Sequence, residues 1–228
     1  MKAEQLARIN AAREARKSVV RITNIADGTD TVIVEGDAYD GPFATALPAA
    51  FRSGKSSQAE IGGKSYFLNV YVPPPRIVAI GAVHISQALA PMARIAGFDI
   101  KIIDPRSAFA TEERFEDADL LAEWPEEVLK TSPLDSYTAL AALTHDPRID
   151  DFPLAEALRA GCFYVGALGS RKTQESRRQR LREQGFESTQ LERIHGPIGL
   201  DIGAANPAEI AVSIIAEIVQ AFRLRSLP

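Results

Sequence analysis

Five short polar stretches of this chain hold the side chains best suited to chemistry. They are Gly81-Ala82-Val83-His84, Asp104-Pro105-Arg106, His145-Asp146, Gly169-Ser170-Arg171-Lys172-Thr173, and the run from His195 to Gly203 with Asp201 inside it. All three histidines of the chain fall in these stretches. A strand that ends in glycine can turn tightly into a helix, whose first N–H groups and dipole then face an anion. Gly81 and Gly169 are both placed for that turn. Asp104 follows Gly81 by about twenty residues, the spacing at which a carboxylate meets ribose hydroxyls in dinucleotide-binding folds. After Gly169 come a hydroxyl, a guanidinium and an ammonium, which suit a multiply charged oxyanion. Cations at Arg171 and Lys172 oppose the usual preference of a helix start for acids, which favours an anion there.

Several chemistries are excluded or weakened. Gly81-Ala82-Val83-His84-Ile85-Ser86 departs from Gly-x-Gly-x-x-Gly, and Val83 puts a branched side chain where a pyrophosphate would press on backbone. The Gly169 loop is not a Walker loop. No His-x-x-x-His pair supports a metal site, so no metal is expected. Ser170 is not in a nucleophile elbow, and the single cysteine, Cys162, lies in an apolar run, so no nucleophile–base pair declares itself. One cysteine also rules out a disulfide framework. The arginines Arg177, Arg178, Arg180 and Arg182 lack interleaved aromatics and read as a solvated or partner-facing surface, not a nucleic-acid patch. A net charge of −4 gives no field favouring nucleic acid or anionic lipid. No apolar stretch approaches a membrane span, and Met1–Lys17 lacks the apolar core of a signal peptide, so a cytoplasmic protein is expected.

The elements that must position these residues follow from the apolar pattern. Ile77–Ile80 is a short β-branched run ending at Gly81, as in a buried parallel strand. From Ile85 the apolar period becomes helical until Gly97, with Pro91 as an interior oddity. Phe98–Ile103 is a second strand ending at Asp104. The alternation continues with strands at Asp117–Leu121, Ser136–Leu143 and Cys162–Leu168. Helices are expected at Pro125–Lys130, Leu154–Arg159, from the Gly169 loop to Gln184, and at Ser188–Ile194. Asn206 caps a last helix with Pro207 at its first position. Its apolar face is Ile210, Ile214, Ile215, Ile218 and Phe222. Such alternation predicts an α/β fold, a Rossmann-like parallel sheet with helices on both faces. Residues 1–72 predict a small mixed α/β domain. It has a helix over Lys2–Lys17 with Leu6 and Ile9 as its apolar face, a hairpin of Ser18–Ile25 and Thr31–Glu35, a helix at Phe43–Phe51 and a strand at Ser65–Val72. Pro73-Pro74-Pro75 is a stiff spacer before the second domain, 76–228.

Read from the residues alone, the crevice could serve an NAD(P)-dependent oxidoreductase, with Asp104 on the ribose and a histidine as acid. It could equally be a non-catalytic nucleotide-binding scaffold. A resemblance adds a third reading. Asp104-Pro105-Arg106 with Phe109-Ala110-Thr111, Leu143-Thr144-His145-Asp146, Tyr164–Thr173, and Ile194-His195 with Pro197–Gly203 and Pro207-x-Glu209-Ile210-Ala211 resemble the xanthine dehydrogenase accessory factor family (XdhC/CoxI type). The resemblance spans about residues 76–222. It implies a Rossmann domain and an accessory role, more chaperone than enzyme. Such a protein holds molybdenum cofactor, helps its sulfuration, with a cysteine desulfurase as a further partner, and hands it to a molybdenum hydroxylase client.

On that reading Gly81, Ala82, His84 and Gly169, Ser170, Arg171, Lys172 take the pterin phosphate. Asp104, Arg106, His145, Asp146, His195, Asp201 and Gly203 line the rest. A homodimer is expected, because a small N-terminal layer needs cover. The chain departs from the family pattern twice. Gly62-Gly63 is followed by Lys64 and not by a cysteine, and Val83 stands where many members have glycine.

Overall fold

The computed structural model describes residues 2–115 and 118–224 and divides into two compact units, one running to Pro73 and the other from Pro74 to Leu224. In the first, α1 (Ala3–Glu14), β1 (Val19–Asn24), β2 (Asp30–Val34), α2 (Ala46–Ser53), β3 (Ser57–Ile61) and β4 (Lys64–Tyr71) build an antiparallel sheet in the order β2-β1-β4-β3. Alternation along β1 serves both faces. Val19 packs with Ile9 and Ala12 of α1, while Val20 and Ile22 pack with Leu47, Ala50 and Phe51 of α2. Leu6 is exposed, so the apolar face of α1 is Ile9 with Ala12 and not Leu6 with Ile9. Strand β3 falls in a segment that shows no strand pattern in the sequence. Its Ser-Gln-Ala-Glu-Ile composition belongs to an exposed edge.

The second unit is a six-stranded sheet in which every strand pair is parallel. In chain order it holds β5 (Arg76–Ile80), α3 (His84–Ile95), β6 (Asp99–Ile103), β7 (Asp119–Leu121), α4 (Pro125–Thr131), β8 (Thr138–Ala142), α5 (Pro147–Arg159), β9 (Tyr164–Ala167), α6 (Arg171–Glu183), α7 (Ser188–Leu191), β10 (Ile194–His195) and α8 (Pro207–Leu224). The strand order is β10-β9-β8-β5-β6-β7. This is the doubly wound Rossmann order, with its direction reversing between β5 and β8.

The inner strands are apolar on both faces. Val78, Ile80, Ile103, Leu140 and Val165 face the core that includes Leu154 and Leu158 of α5 and Leu181 of α6. Ile77, Ala79, Ile102, Ala139 and Ala141 face Ile85 and Leu89 of α3 and Ile214 and Ile218 of α8. Covering helices on both faces is what near-continuous apolar strands require.

Three sequence expectations are corrected. The α5 helix begins at Pro147, capped by Asp146, not at Leu154, because Asp-Pro is itself a helix start. Ser188–Ile194 is not one helix: it stops at Leu191, and Ile194 opens β10, paired with Val165 of β9. The β7 strand covers Asp119–Leu121; Asp117, where the sequence expectation began, lies outside the described residues. Pro91 sits on the exposed side of α3 without ending it.

Candidate functional site

Ligands of an open parallel sheet bind above the carboxyl ends of the strands, where the order reverses. Here that edge is a row of linked strand ends. Gly81, at the end of β5, has φ +114, and a Cβ there would stand 2.8 Å from the Thr144 methyl, so the ends of β5 and β8 touch. Asp104, at the end of β6, is fully buried. One carboxylate oxygen accepts the Ala82 amide at 2.8 Å and Arg106 Nη2 at 2.7 Å. The other accepts the Arg106 amide and Nε, both at 2.9 Å. Burial alone would raise this carboxyl's pKa, but the Arg106 side chain and the two amides outweigh it and hold it below its usual range.

Asp104 therefore clamps the turn after β5 and holds Arg106. All four donors around it come from the protein, so it does not turn an oxygen toward a ribose. Ser86 fixes the same turn where the fingerprint has its third glycine: its buried hydroxyl donates to the Gly81 carbonyl at 2.6 Å and accepts the Val83 amide at 2.9 Å. Arg114 closes over the turn by donating to the Ala82 carbonyl at 3.2 Å.

At the end of β8, Thr144 Oγ1 donates to Asp150 at 2.7 Å and accepts the Asp146 amide at 3.0 Å. His145 is exposed at φ +63, in the left-handed region. Asp146 caps α5 and takes Arg148 Nη2 at 2.7 Å, which holds its carboxyl down to about 2. The Asp104 carboxylate raises the pKa of Arg106, and Asp146 and Asp150 add to that, so the ends of β6 and β8 share one field.

At the end of β9, Ser170 caps α6 and accepts the Thr173 amide. Arg171 and Lys172 stand exposed in the first turn, with no ion pair or side-chain hydrogen bond among the described residues. Gln174 donates to the Ala167 carbonyl at 2.8 Å and packs against Gly196, tying β9 to the residue after β10. Asp201 and Gly203 are exposed on the loop before α8, and no hydrogen bond draws either toward the other four stretches among the described residues.

Arg177 corrects the expectation of a solvated basic face. It is 2% exposed and donates to Gln174 and, at 3.2 Å, to the Leu168 carbonyl. Its Nη2 lies 3.8 Å from Asp150 Oδ2, an ion pair too long for a hydrogen bond, and Asp150 Oδ2 and Arg177 Nε have no hydrogen-bond partner among the described residues. Burial pushes the Asp150 carboxyl up to about 6, against the opposing pull of Thr144 and Arg177. The native state thus takes up a proton near pH 6 that the unfolded chain takes only near 3.8. Stability is then expected to rise as pH falls from about 6 toward 3.8, by at most about 3 kcal/mol. Urea unfolding across that range should show the rise, and Asp150→Asn should remove it; parallel profiles would contradict it.

Sequence reasoning missed the residues that join the strand ends: Ser86, Thr144, Asp150, Gln174, Arg177, Tyr164 and Glu217. Glu217 did leave a signal, as a carboxylate beside Ile214 and Ile218 on the apolar stripe of α8. The comparisons with known proteins agree with the geometry. A family model described as the XdhC Rossmann domain matches residues 77–218, the whole span from β5 into α8. The chain belongs to this XdhC family.

Three relatives illustrate it. The uncharacterized protein YqeB of Escherichia coli K12 is 32% identical over 164 residues, covering 70% of this chain and 29% of YqeB. A probable xanthine dehydrogenase subunit of Bacillus subtilis 168 is 32% identical over 155 residues, 68% of this chain and 45% of that protein. The molybdenum cofactor insertion chaperone PaoD of E. coli K12 is 30% identical over 147 residues, 64% of this chain and 40% of PaoD. The chain thus spans less than half the length of these curated relatives. The crystal structure of a xanthine dehydrogenase from Bacillus halodurans superposes with a TM-score of 0.63 at 24% identity, over 97% of this chain and 65% of that one, which supports the fold.

Proposed function

We propose that this XdhC chain is an accessory protein of molybdenum hydroxylases that binds molybdenum cofactor along the carboxyl edge of its parallel sheet and passes it to the client enzyme. The observation that carries this is the pairing of two helix starts, α3 and α6, on one row of linked strand ends, with Arg171 and Lys172 exposed and uncommitted at the second. That donor set fits a phosphate monoester: unsatisfied amides at a helix start, a hydroxyl and two cations. His84 and His145, both exposed at the same edge, add polar partners for a pterin. The relative PaoD is named a molybdenum cofactor insertion chaperone and the B. subtilis relative a probable xanthine dehydrogenase subunit, which supports this reading. A nicotinamide dinucleotide is less well served, because Asp104 is fully occupied and Val83 stands at the second glycine position.

The chain has a further limit that shapes its role. Cys162 is fully buried, and burial pushes its thiol up to about 12. It offers no thiolate at neutral pH, so any sulfur that reaches the cofactor comes from a partner.

The test is a titration with purified molybdenum cofactor, NADH and NADPH, followed by fluorescence. Saturable binding of the pterin without hydride transfer is expected. The double variant Arg171→Ala/Lys172→Ala should weaken it by about 10- to 100-fold, since a hydrogen bond to a charged group contributes about 1.5–3 kcal/mol. Unchanged affinity in the double variant would leave the chain as a scaffold that works by docking alone. Tight dinucleotide binding with turnover would make it an oxidoreductase.

A further inference from the structure

The edge strand β10 ends on a side-chain cluster that the phosphate-binding reading does not use. His195 Nδ1 lies 2.8 Å from Glu217 Oε1. The other oxygen of Glu217 accepts the Tyr164 hydroxyl at 2.6 Å and the Gly199 amide at 2.8 Å. The rings of Tyr164 and His195 stack at 4.7 Å, inclined by 32°. Tyr164 is 1% exposed, whereas the His195 side chain is 40% exposed.

Glu217 already accepts the Tyr164 hydroxyl and the Gly199 amide through one oxygen, and its other oxygen faces Nδ1 of His195, so that nitrogen is the donor and carries the proton. In the neutral ring the lone pair is then on Nε2. With Nδ1 held by Glu217 and one face against Tyr164, Nε2 is the ring nitrogen left for a ligand, on a side chain that is 40% exposed.

A fixed tautomer with an outward lone pair suits two tasks, general base or metal ligand. No serine or cysteine hydrogen-bonds His195 among the described residues, so it activates no protein nucleophile. A histidine whose second nitrogen donates to a carboxylate is the usual form of a metal ligand. Among the described residues no three His, Cys, Asp or Glu side chains stand close enough to hold a metal ion on their own. A bare ion therefore finds too few ligands, while a metal already held by an organic cofactor needs only one more. The position fits such a visitor: His195 pairs with Gly166 of β9, so it stands at the carboxyl edge of the sheet beside the strand that leads into the Gly169 loop.

We propose that His195 is the protein ligand for the metal end of the cofactor, bound through Nε2, and that Glu217, Tyr164 and the Gly199 amide are the positioning groups that fix its ring. This rests on the cofactor-binding reading above. A purely structural role for the imidazole is poorly supported, because Glu217 already has two other protein donors to tie α8 to the sheet edge.

The test compares two probes on the full chain: molybdenum cofactor carrying its metal, and the same phosphorylated pterin without metal. The wild type should bind the metal-loaded form at least about 10-fold more tightly. His195→Ala should erase that ratio, bringing the metal-loaded form to the same affinity as the metal-free pterin. Glu217→Gln should cut the ratio by about 10-fold, the usual cost of losing a carboxylate behind a metal-bound histidine. X-ray absorption at the molybdenum edge should detect a nitrogen ligand in the wild-type complex and none with His195→Ala; this reading needs no destabilised variant. An equal affinity ratio in wild type and His195→Ala, or no nitrogen ligand in the wild type, overturns the proposal and leaves cofactor binding standing. Failure of the wild type to bind either form overturns both.

Discussion

Replacing Gly81 by alanine is expected to destabilise the parallel-sheet unit by about 2–5 kcal/mol and to abolish cofactor binding. Two independent costs combine. The backbone at Gly81 has φ +114, a conformation that strains any side chain, by about 1–2 kcal/mol. The added Cβ would stand 2.8 Å from the Thr144 methyl and 3.4 Å from the Thr144 amide, and overpacking of this kind costs about 1–3 kcal/mol. Thr144 cannot simply rotate away, because its hydroxyl is held by Asp150 and the Asp146 amide. Thr144→Ser removes the offending methyl and keeps the hydroxyl. The double variant Gly81→Ala/Thr144→Ser should therefore recover the packing part of the loss and not the backbone part. Denaturant unfolding of the four proteins closes this cycle. Equal stability of wild type and Gly81→Ala would mean that the ends of β5 and β8 do not meet as described.

Asp104→Asn is expected to have the next largest effect, a loss of about 3 kcal/mol. Removing one partner of a buried ion pair typically costs about 3–5 kcal/mol. The lower end applies because Arg106 is one-third exposed. Asparagine would also point a donor at donors, since all four bonds to Asp104 come from N–H groups.

The pH signature has a definite sign. The native carboxyl titrates below its unfolded value, so its stabilisation is present above the unfolded pKa and is lost as the pH falls through the native one. Acid unfolding of the wild type should be steeper below the unfolded value than that of Asp104→Asn. This is the opposite of the Asp150 contribution, which grows as pH falls from about 6. If Asp104→Asn matched the wild type in stability and in acid profile, Asp104 would not be the clamp on the turn after β5.

The two carboxylates also mark where sequence could and could not guide the reading. The β5–α3–β6 unit was legible because its signals are local: a β-branched run, a glycine, a helical period and an acid at the expected spacing. Local chemistry also gave the Asn206 cap of α8, whose side chain accepts the Glu209 amide at 3.0 Å. What Asp104 does with its oxygens was not legible, because the donors come from Ala82 and from the Arg106 side chain folding back. The same holds for Arg177, which lies in a run of arginines that looks solvated. Only the packing of α6 against α5 distinguishes it from its neighbours, bringing it to Asp150 while the less buried Arg180 pairs with Asp151. Strands β3 and β10 were missed for related reasons. One is a polar edge, and the other is two residues long and defined by its partner. Turn chemistry and periodicity write themselves into adjacent residues, whereas the links between strand ends join residues far apart in the chain.

On the proposed function, the ends of β5, β6, β8 and β9 form one berth for one ligand. Hydrogen–deuterium exchange with and without purified molybdenum cofactor tests it directly, because each strand end reports separately. Slowed exchange on binding is expected in four segments together, 81–86, 104–106, 144–146 and 169–173, with Arg171→Ala/Lys172→Ala reducing the protection in all four. Protection confined to a single strand end, or found only in the unit before Pro73, would contradict it.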